Sequence, residues 1–264
     1  MKRNLIKSFV AVAAFSTILV ACKKDAVVEN ESALTNDVLE KIHELGFSNK
    51  NVIQDDGGYI VEGDIFLSAR DLDSKPTSTF LRIGGEEQYR TTNLVKSLPR
   101  NITVSISSQL PSSYVAALDE CIARYNALNL TLTFQRVSSG ANISIVKGNG
   151  QYLASAGFPT STGQPYNQVK VNSRAIGNQP QATVATILAH EIVHCIGFRH
   201  TDYMDRSYSC GGSTANEGAS TVGAILIPGT PAGPDPNSWM LACIGSGQNR
   251  PFNSNDRTAL TYLY

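Results

Sequence analysis

His190-Glu191-Ile192-Val193-His194-Cys195-Ile196-Gly197-Phe198-Arg199-His200 is the stretch from which this chain is best read. Histidines at i and i+4 of a helix present two imidazoles from neighbouring turns on one face. A straight helix cannot bring a third within reach, so the chain must turn back, and glycine takes the left-handed backbone such a turn needs. Gly197 stands at that place and His200 follows it. Three neutral nitrogen ligands suit a tetrahedral zinc ion and leave its fourth position open, which separates a catalytic centre from a closed structural one. Glu191, beside the first ligand, sits where a general base for water at the fourth position is required. Three of the chain's 4 histidines fall in this stretch, a concentration that a helix containing histidines by accident would not show. The remaining one, His43, lies in an amino-terminal helical pattern and reads as structural.

Outward from the motif, the periodicities predict an α+β domain. A helix over about 181–197 opens at Pro180 or Gln181, with Val184, Ile187, Leu188, Ile192 and Cys195 on one stripe and His190 and His194 on another face. Before it, Ile102, Val104 and Ile106 alternate with polar residues as a half-buried strand. A second long helix, about 111–128, carries Tyr114, Leu118, Ile122, Tyr125 and Leu128 at helical spacing. Leu130, Leu132 and Phe134, then Ile143 and Ile145, then Gln168 to Asn172 read as further strands. The order implies a twisted, mixed and mostly parallel sheet. Residues 205–237 are rich in Gly, Ser and Pro and predict an irregular carboxy-terminal subdomain, with one apolar run from Val222 to Ile227. Ser254 is expected to cap a short final helix through Leu260 and Leu263.

The first 97 residues divide differently. Lys2, Arg3 and Lys7 precede an uncharged run from Ser8 to Ala21 that ends at Cys22, so 1–21 reads as a signal peptide. Residues 22–35 would follow as a small, polar tether, 36–97 as a pro-like segment, and 98–264 as the zinc-binding domain. Within the pro-like segment, Asp37 to Leu45 has a helical pattern closed by Gly46, and Tyr59 to Leu67 forms two strand-like pieces about a Gly63-Asp64 turn. Residues 70–97 are aperiodic and read as loop. Lys plus Arg equals Asp plus Glu at 22 each, so no overall field favours nucleic acid, and a monomer is expected. Cys121, Cys195, Cys210 and Cys243 leave three connectivities open, with Cys210 and Cys243 the favoured pair because they flank the same loop.

The full motif resembles the metzincin clan of zinc peptidases and is most similar to the bacterial family with a His-Glu-Ile-Gly-His core, in which Val193 replaces the glycine. The resemblance implies a metzincin-like catalytic domain and a zinc endopeptidase acting on protein or peptide substrates. It would hold one catalytic Zn2+ on His190, His194 and His200, with Glu191 as base. Met240, in Ser238-Trp239-Met240, resembles the clan's methionine in a tight turn beneath the metal, and Asn253 to Tyr264 its closing helix. Leu153, Ala154, Ser155 and Ala156 resemble its substrate-binding edge strand, which would pair with an extended peptide. Glu62-Gly63-Asp64-Ile65 is similar to the Gly-Asp-Ile of astacin-like pro-segments, whose aspartate takes the open zinc position, so the resemblance implies a latent zymogen with Asp64 as the latch. A plain hairpin turn, for which Gly-Asp is ordinary, is the competing reading.

Leu19-Val20-Ala21-Cys22 resembles a bacterial lipobox, and the following Lys23-Lys24-Asp25 looks like lipoproteins of the Bacteroidota. This implies a lipid on Cys22, the only membrane contact expected, and a location in the cell envelope facing the periplasm or exterior. No residue pattern assigns a structural calcium. Two other classes stay open: a zinc-binding surface lipoprotein without turnover, against which Glu191 speaks, and a zinc hydrolase of non-peptide amides.

Overall fold

Alternating apolar and polar residues build the centre of the sheet. In the computed structural model, which describes residues 34–73, 88–218, 223–231 and 233–264, β5 (Arg100–Ile106) buries Ile102 and Val104. β6 (Leu132–Arg136) buries Leu132 and Phe134, and β7 (Ile143–Lys147) buries Ile143 and Ile145. Each such side chain contributes about 1.5–3 kcal/mol when removed from water. β5 pairs in parallel with both β6 and β7, and β7 pairs in parallel with β9 (Gln168–Val171). Cys22 and the expected signal peptide lie outside the described residues.

Two long helices cover the sheet. α2 (Ser113–Asn126) presents Tyr114, Leu118, Cys121 and Tyr125 to the core and packs against α4 (Gln181–Ile196). The expected one-sided stripe on α4 is corrected: Thr183 to Ile196 are all buried, because the sheet, α2 and the carboxy-terminal segment enclose the helix. A short helix, α3 (Ser173–Ile176), precedes it, and α6 (Ser254–Leu263) closes the chain. Its cap is Asn253, not Ser254. The Asn253 side chain accepts from Asp256 N, while the Asp256 carboxylate accepts from Asn253 N, a reciprocal pair that fixes the helix start.

The amino-terminal residues join the same sheet. After α1 (Asn36–Glu44), β1 (Ile53–Asp55), β2 (Gly58–Val61) and β3 (Ile65–Ser68) form an antiparallel meander. Ile42, Leu45 and Phe47 pack with Tyr59, Val61, Ile65 and Leu67 in a small second core. β3 then pairs in parallel with β8 (Ala154–Ala156), which pairs antiparallel with β9 on its other side. The full order is β1-β2-β3-β8-β9-β7-β5-β6, mixed and mostly parallel.

Two readings of loop need correction. Tyr89–Arg90 forms a short strand, β4, paired antiparallel with β10 (Ile225–Leu226) from the Gly-rich carboxy-terminal stretch. The described residues of that stretch are otherwise irregular apart from α5 (Ser207–Cys210). No helix among the described residues is long and apolar enough to cross a membrane.

Candidate metal centre

α4 sets the first two imidazoles. Gly197 ends it in the left-handed region at φ 118°, and a Cβ at this position would come within 2.9 Å of the Asn93 carbonyl oxygen. Glycine is thus required twice, for the backbone and for the space. Beyond it the chain is held by the β4 region: Thr91 N donates to Gly197 O at 2.7 Å and Arg199 N to Tyr89 O at 2.9 Å. This support brings His200 back beneath the helix.

The three Nε2 atoms converge. His194 Nε2 lies 3.1 Å from His190 Nε2 and 3.2 Å from His200 Nε2. Each Nδ1 faces an acceptor: Trp239 O at 2.9 Å for His190, Phe198 O at 2.8 Å for His194, and the Glu217 carboxylate at 3.0 Å for His200. An Nδ1–H in such a bond leaves the Nε2 lone pair turned to the common centre. Burial, followed by the charges of His190 and His200, holds His194 well below the ordinary histidine range, so this ring stays neutral. Lone pairs facing one another at this distance suit a cation between them, and the buried Asp-His-His-His cluster fits a zinc ion.

Two carboxylates complete the site. Asp64 Oδ2 lies 3.2 Å from His200 Nε2 and 3.4 Å from His190 Nε2, while its other oxygen is buried without a hydrogen-bond partner. Burial opposes its ionisation, but the charges and hydrogen bonds of His200 and His190 hold the carboxyl well below its usual value. Glu191 is 3 % exposed and its Oε2 has no hydrogen-bond partner. Burial and then the Asp64 charge push its carboxyl well up. Glu191, His190 and Asp64 line one cavity of about 280 Å³, whose other walls include Ile187, Trp239 and Arg250.

Met240 is fully buried in the turn that follows Trp239. Its carbonyl accepts from Thr201 N at 2.9 Å and its amide donates to Ser238 Oγ at 3.0 Å. The turn therefore touches both ends of the motif, through Trp239 O to His190 and through Met240 O to the residue after His200. Cys210 and Cys243 form a disulfide, and Cys121 and Cys195 are buried free thiols. The expected edge strand is paired on both sides while β3 is in place. Leu153 is exposed, but Ala154, Ser155 and Ala156 are buried, and β3 covers the side of β8 that would otherwise be free. The Ala156 amide donates to Asp64 O at 3.0 Å, so one residue both lies against the metal cluster and pairs with this strand.

The sequence reading missed three contributors. Glu217 comes from an aperiodic loop, and the Tyr89–Thr91 support lies in a segment too short to show a period. Glu62 meets Arg199 at 3.0 Å with neither side chain exposed. The adjacency of Glu62 to Gly63-Asp64, and of Arg199 to His200, was the signal available for that pair.

Such a centre, three imidazoles and a carboxylate buried together, is a metal-binding class of site. Residues 60–264 match the family model described as the dual-action HEIGH metallo-peptidase, and the chain belongs to that family. The match includes the turn that carries Asp64 and the strand after it. Among solved structures, myroilysin is similar at 14 % identity over 65 % of this chain and 96 % of that one, with a TM-score of 0.43. A second myroilysin crystal structure is 12 % identical over 66 % and 86 %, also at 0.43. High choriolytic enzyme 1, a hatching enzyme zinc-protease from the medaka fish Oryzias latipes, is 17 % identical over 62 % and 88 %, at 0.33. Among curated proteins nothing matches.

Proposed function

We propose that this protein is a zinc-dependent endopeptidase acting on proteins outside the cytoplasm, held latent by Asp64 and anchored through a lipid on Cys22. The observation that carries the reading is the convergence of three Nε2 atoms beside a buried carboxylate with an unpartnered oxygen, Glu191. His190, His194 and His200 would hold the zinc ion. Zinc supplies positive charge that makes water more acidic and polarises a substrate carbonyl. Glu191, kept out of solvent and without a hydrogen bond on one oxygen, accepts the water proton and returns it to the leaving amine. A free carboxylate there serves no packing need, which favours turnover over metal binding alone.

Latency rests on the hairpin. Asp64 Oδ2 stands against His200 and His190, where it would itself hold the ion in place of water, and β3 occupies the strand a peptide would pair with. Both obstacles sit on one segment, so a single cleavage or displacement would lift them together.

The test compares wild type with Glu191→Ala, each also carrying Asp64→Ala, against a mixture of protein substrates. Retained zinc and cleavage reduced by about 10²- to 10⁴-fold in the Glu191 variant are expected. Undiminished cleavage would remove Glu191 as base. Zinc binding without cleavage of any protein, even after proteolytic removal of the residues before about 95, would overturn the peptidase reading in favour of a binding protein.

A further inference from the structure

We infer that Glu217 is a positioning residue for the metal centre, fixing the tautomer and ring plane of His200 from the side away from the metal. This rests on the zinc reading above. Both carboxylate oxygens reach His200 Nδ1, at 3.1 and 3.0 Å, so a shift of either keeps the bond. A carboxylate only accepts, so Nδ1 carries the hydrogen, and Nε2, which faces Asp64 and His194, is the nitrogen that would hold the zinc. His190 and His194 are oriented by backbone carbonyls, which come with the fold. His200 alone depends on a side chain.

The surroundings hold that side chain in place. Glu217 is 2 % exposed, and its amide donates to Tyr203 O at 2.7 Å, tying the loop back to the residues just after His200. Arg206 Nε lies 3.5 Å from Oε1, and Arg206 N donates to Ala215 O at 2.7 Å, so the loop closes on itself behind the carboxylate. A buried carboxylate is costly unless paired, and here its closest partner is the imidazole N–H. A merely structural Glu217 would serve Arg206 instead.

These two roles separate in the full chain by metal binding. Zinc affinity, measured by competition with a chromophoric chelator, should fall by about 10- to 100-fold in Glu217→Ala. Glu217→Gln, whose amide oxygen can still accept from Nδ1–H, should fall less. Arg206→Met, which removes the other partner, should bind zinc like wild type. The His200 Nδ1 proton resonance of the zinc-loaded protein should shift in Glu217→Gln and stay put in Arg206→Met, which keeps the inference testable if Glu217→Ala does not fold. Zinc affinity of Glu217→Ala within about twofold of wild type, or an unmoved Nδ1 resonance in Glu217→Gln, overturns it. A graded zinc loss in a protein that cleaves no substrate would sustain this role while the peptidase reading failed.

Discussion

The Glu62 carboxylate and the Arg199 guanidinium form an ion pair at 3.0 Å in which neither side chain has solvent exposure. It couples the residue before the Gly63-Asp64 turn to the residue before His200. Breaking a buried pair by deleting one partner leaves the other charge uncompensated, at a cost of about 3–5 kcal/mol. Glu62→Ala should therefore lower the unfolding free energy by that amount in urea titration. A change under about 1 kcal/mol, typical of an exposed pair, would show that Arg199 is satisfied elsewhere.

Asp64→Ala removes the carboxylate set against the three imidazoles without deleting the strand behind it. A tethered group competes at an effective concentration of the order of millimolar, so its loss should raise the initial rate of the uncleaved protein about tenfold or more. Initial rates on a denatured protein substrate give the comparison. Equal rates would reduce Glu62-Gly63-Asp64 to an ordinary turn.

Chelation should destabilise the fold as well as silence it. The Nε2 atoms are gathered from both ends of one motif, an arrangement only the folded chain offers to an ion. Binding only to the folded state stabilises by about 4 kcal/mol at a thousandfold excess over Kd. The thermal midpoint should drop on adding a chelator and recover with zinc. A midpoint indifferent to both would argue that these histidines hold no metal.

The Cys210–Cys243 disulfide bridges a sequence separation of 33 and closes a loop that includes Glu217. Chain entropy predicts about 3–4 kcal/mol of stabilisation for a closure of this size. Cys210→Ser with Cys243→Ser should lose that stability and zinc affinity together, since the loop delivers the partner of His200. Stability lost without any change in zinc affinity would detach the loop from the centre.

Asp256, which accepts from Ser238 and Trp239, supplies a pH dependence of its own. Burial raises its carboxyl to about 7 against the hydrogen bonds from Asn253, Ser238 and Trp239. The unfolded carboxyl titrates near ~3.9. Between these values the folded protein keeps a proton the unfolded chain has lost, so the contribution of Asp256 to stability is full below about pH 4 and declines as pH rises to about 7. The decline scales as roughly 1.4 kcal/mol per pKa unit. Asp256→Asn should flatten that slope; a parallel pH profile for variant and wild type would exclude it.

What could be read in advance follows from range. The motif, the Gly-Asp hairpin and the strands around Ile102, Leu132 and Ile143 are specified by local pattern, and each forms where its period places it. β4 was illegible because two residues carry no period; it exists because Phe198 and Ile225 arrive from more than a hundred residues away. Glu217 lies amid Gly, Ser and Thr with nothing local to single it out. The Asn253 cap was readable, since Asn253 and Asp256 have the spacing of a capping box that Ser254 lacks. β8 was read with the right composition and the wrong neighbour, because its second partner belongs to a hairpin placed in another segment.

The β3–β8 pairing has a colloidal consequence. An uncovered strand is a template on which any second chain can add itself, and proteins kept at high concentration must hide such borders. While β3 is in place the sheet ends at β1, a strand of three residues, and at β6. The same hairpin thus keeps neighbouring copies from stitching onto one another along β8, and its removal would leave a sticky seam on that strand.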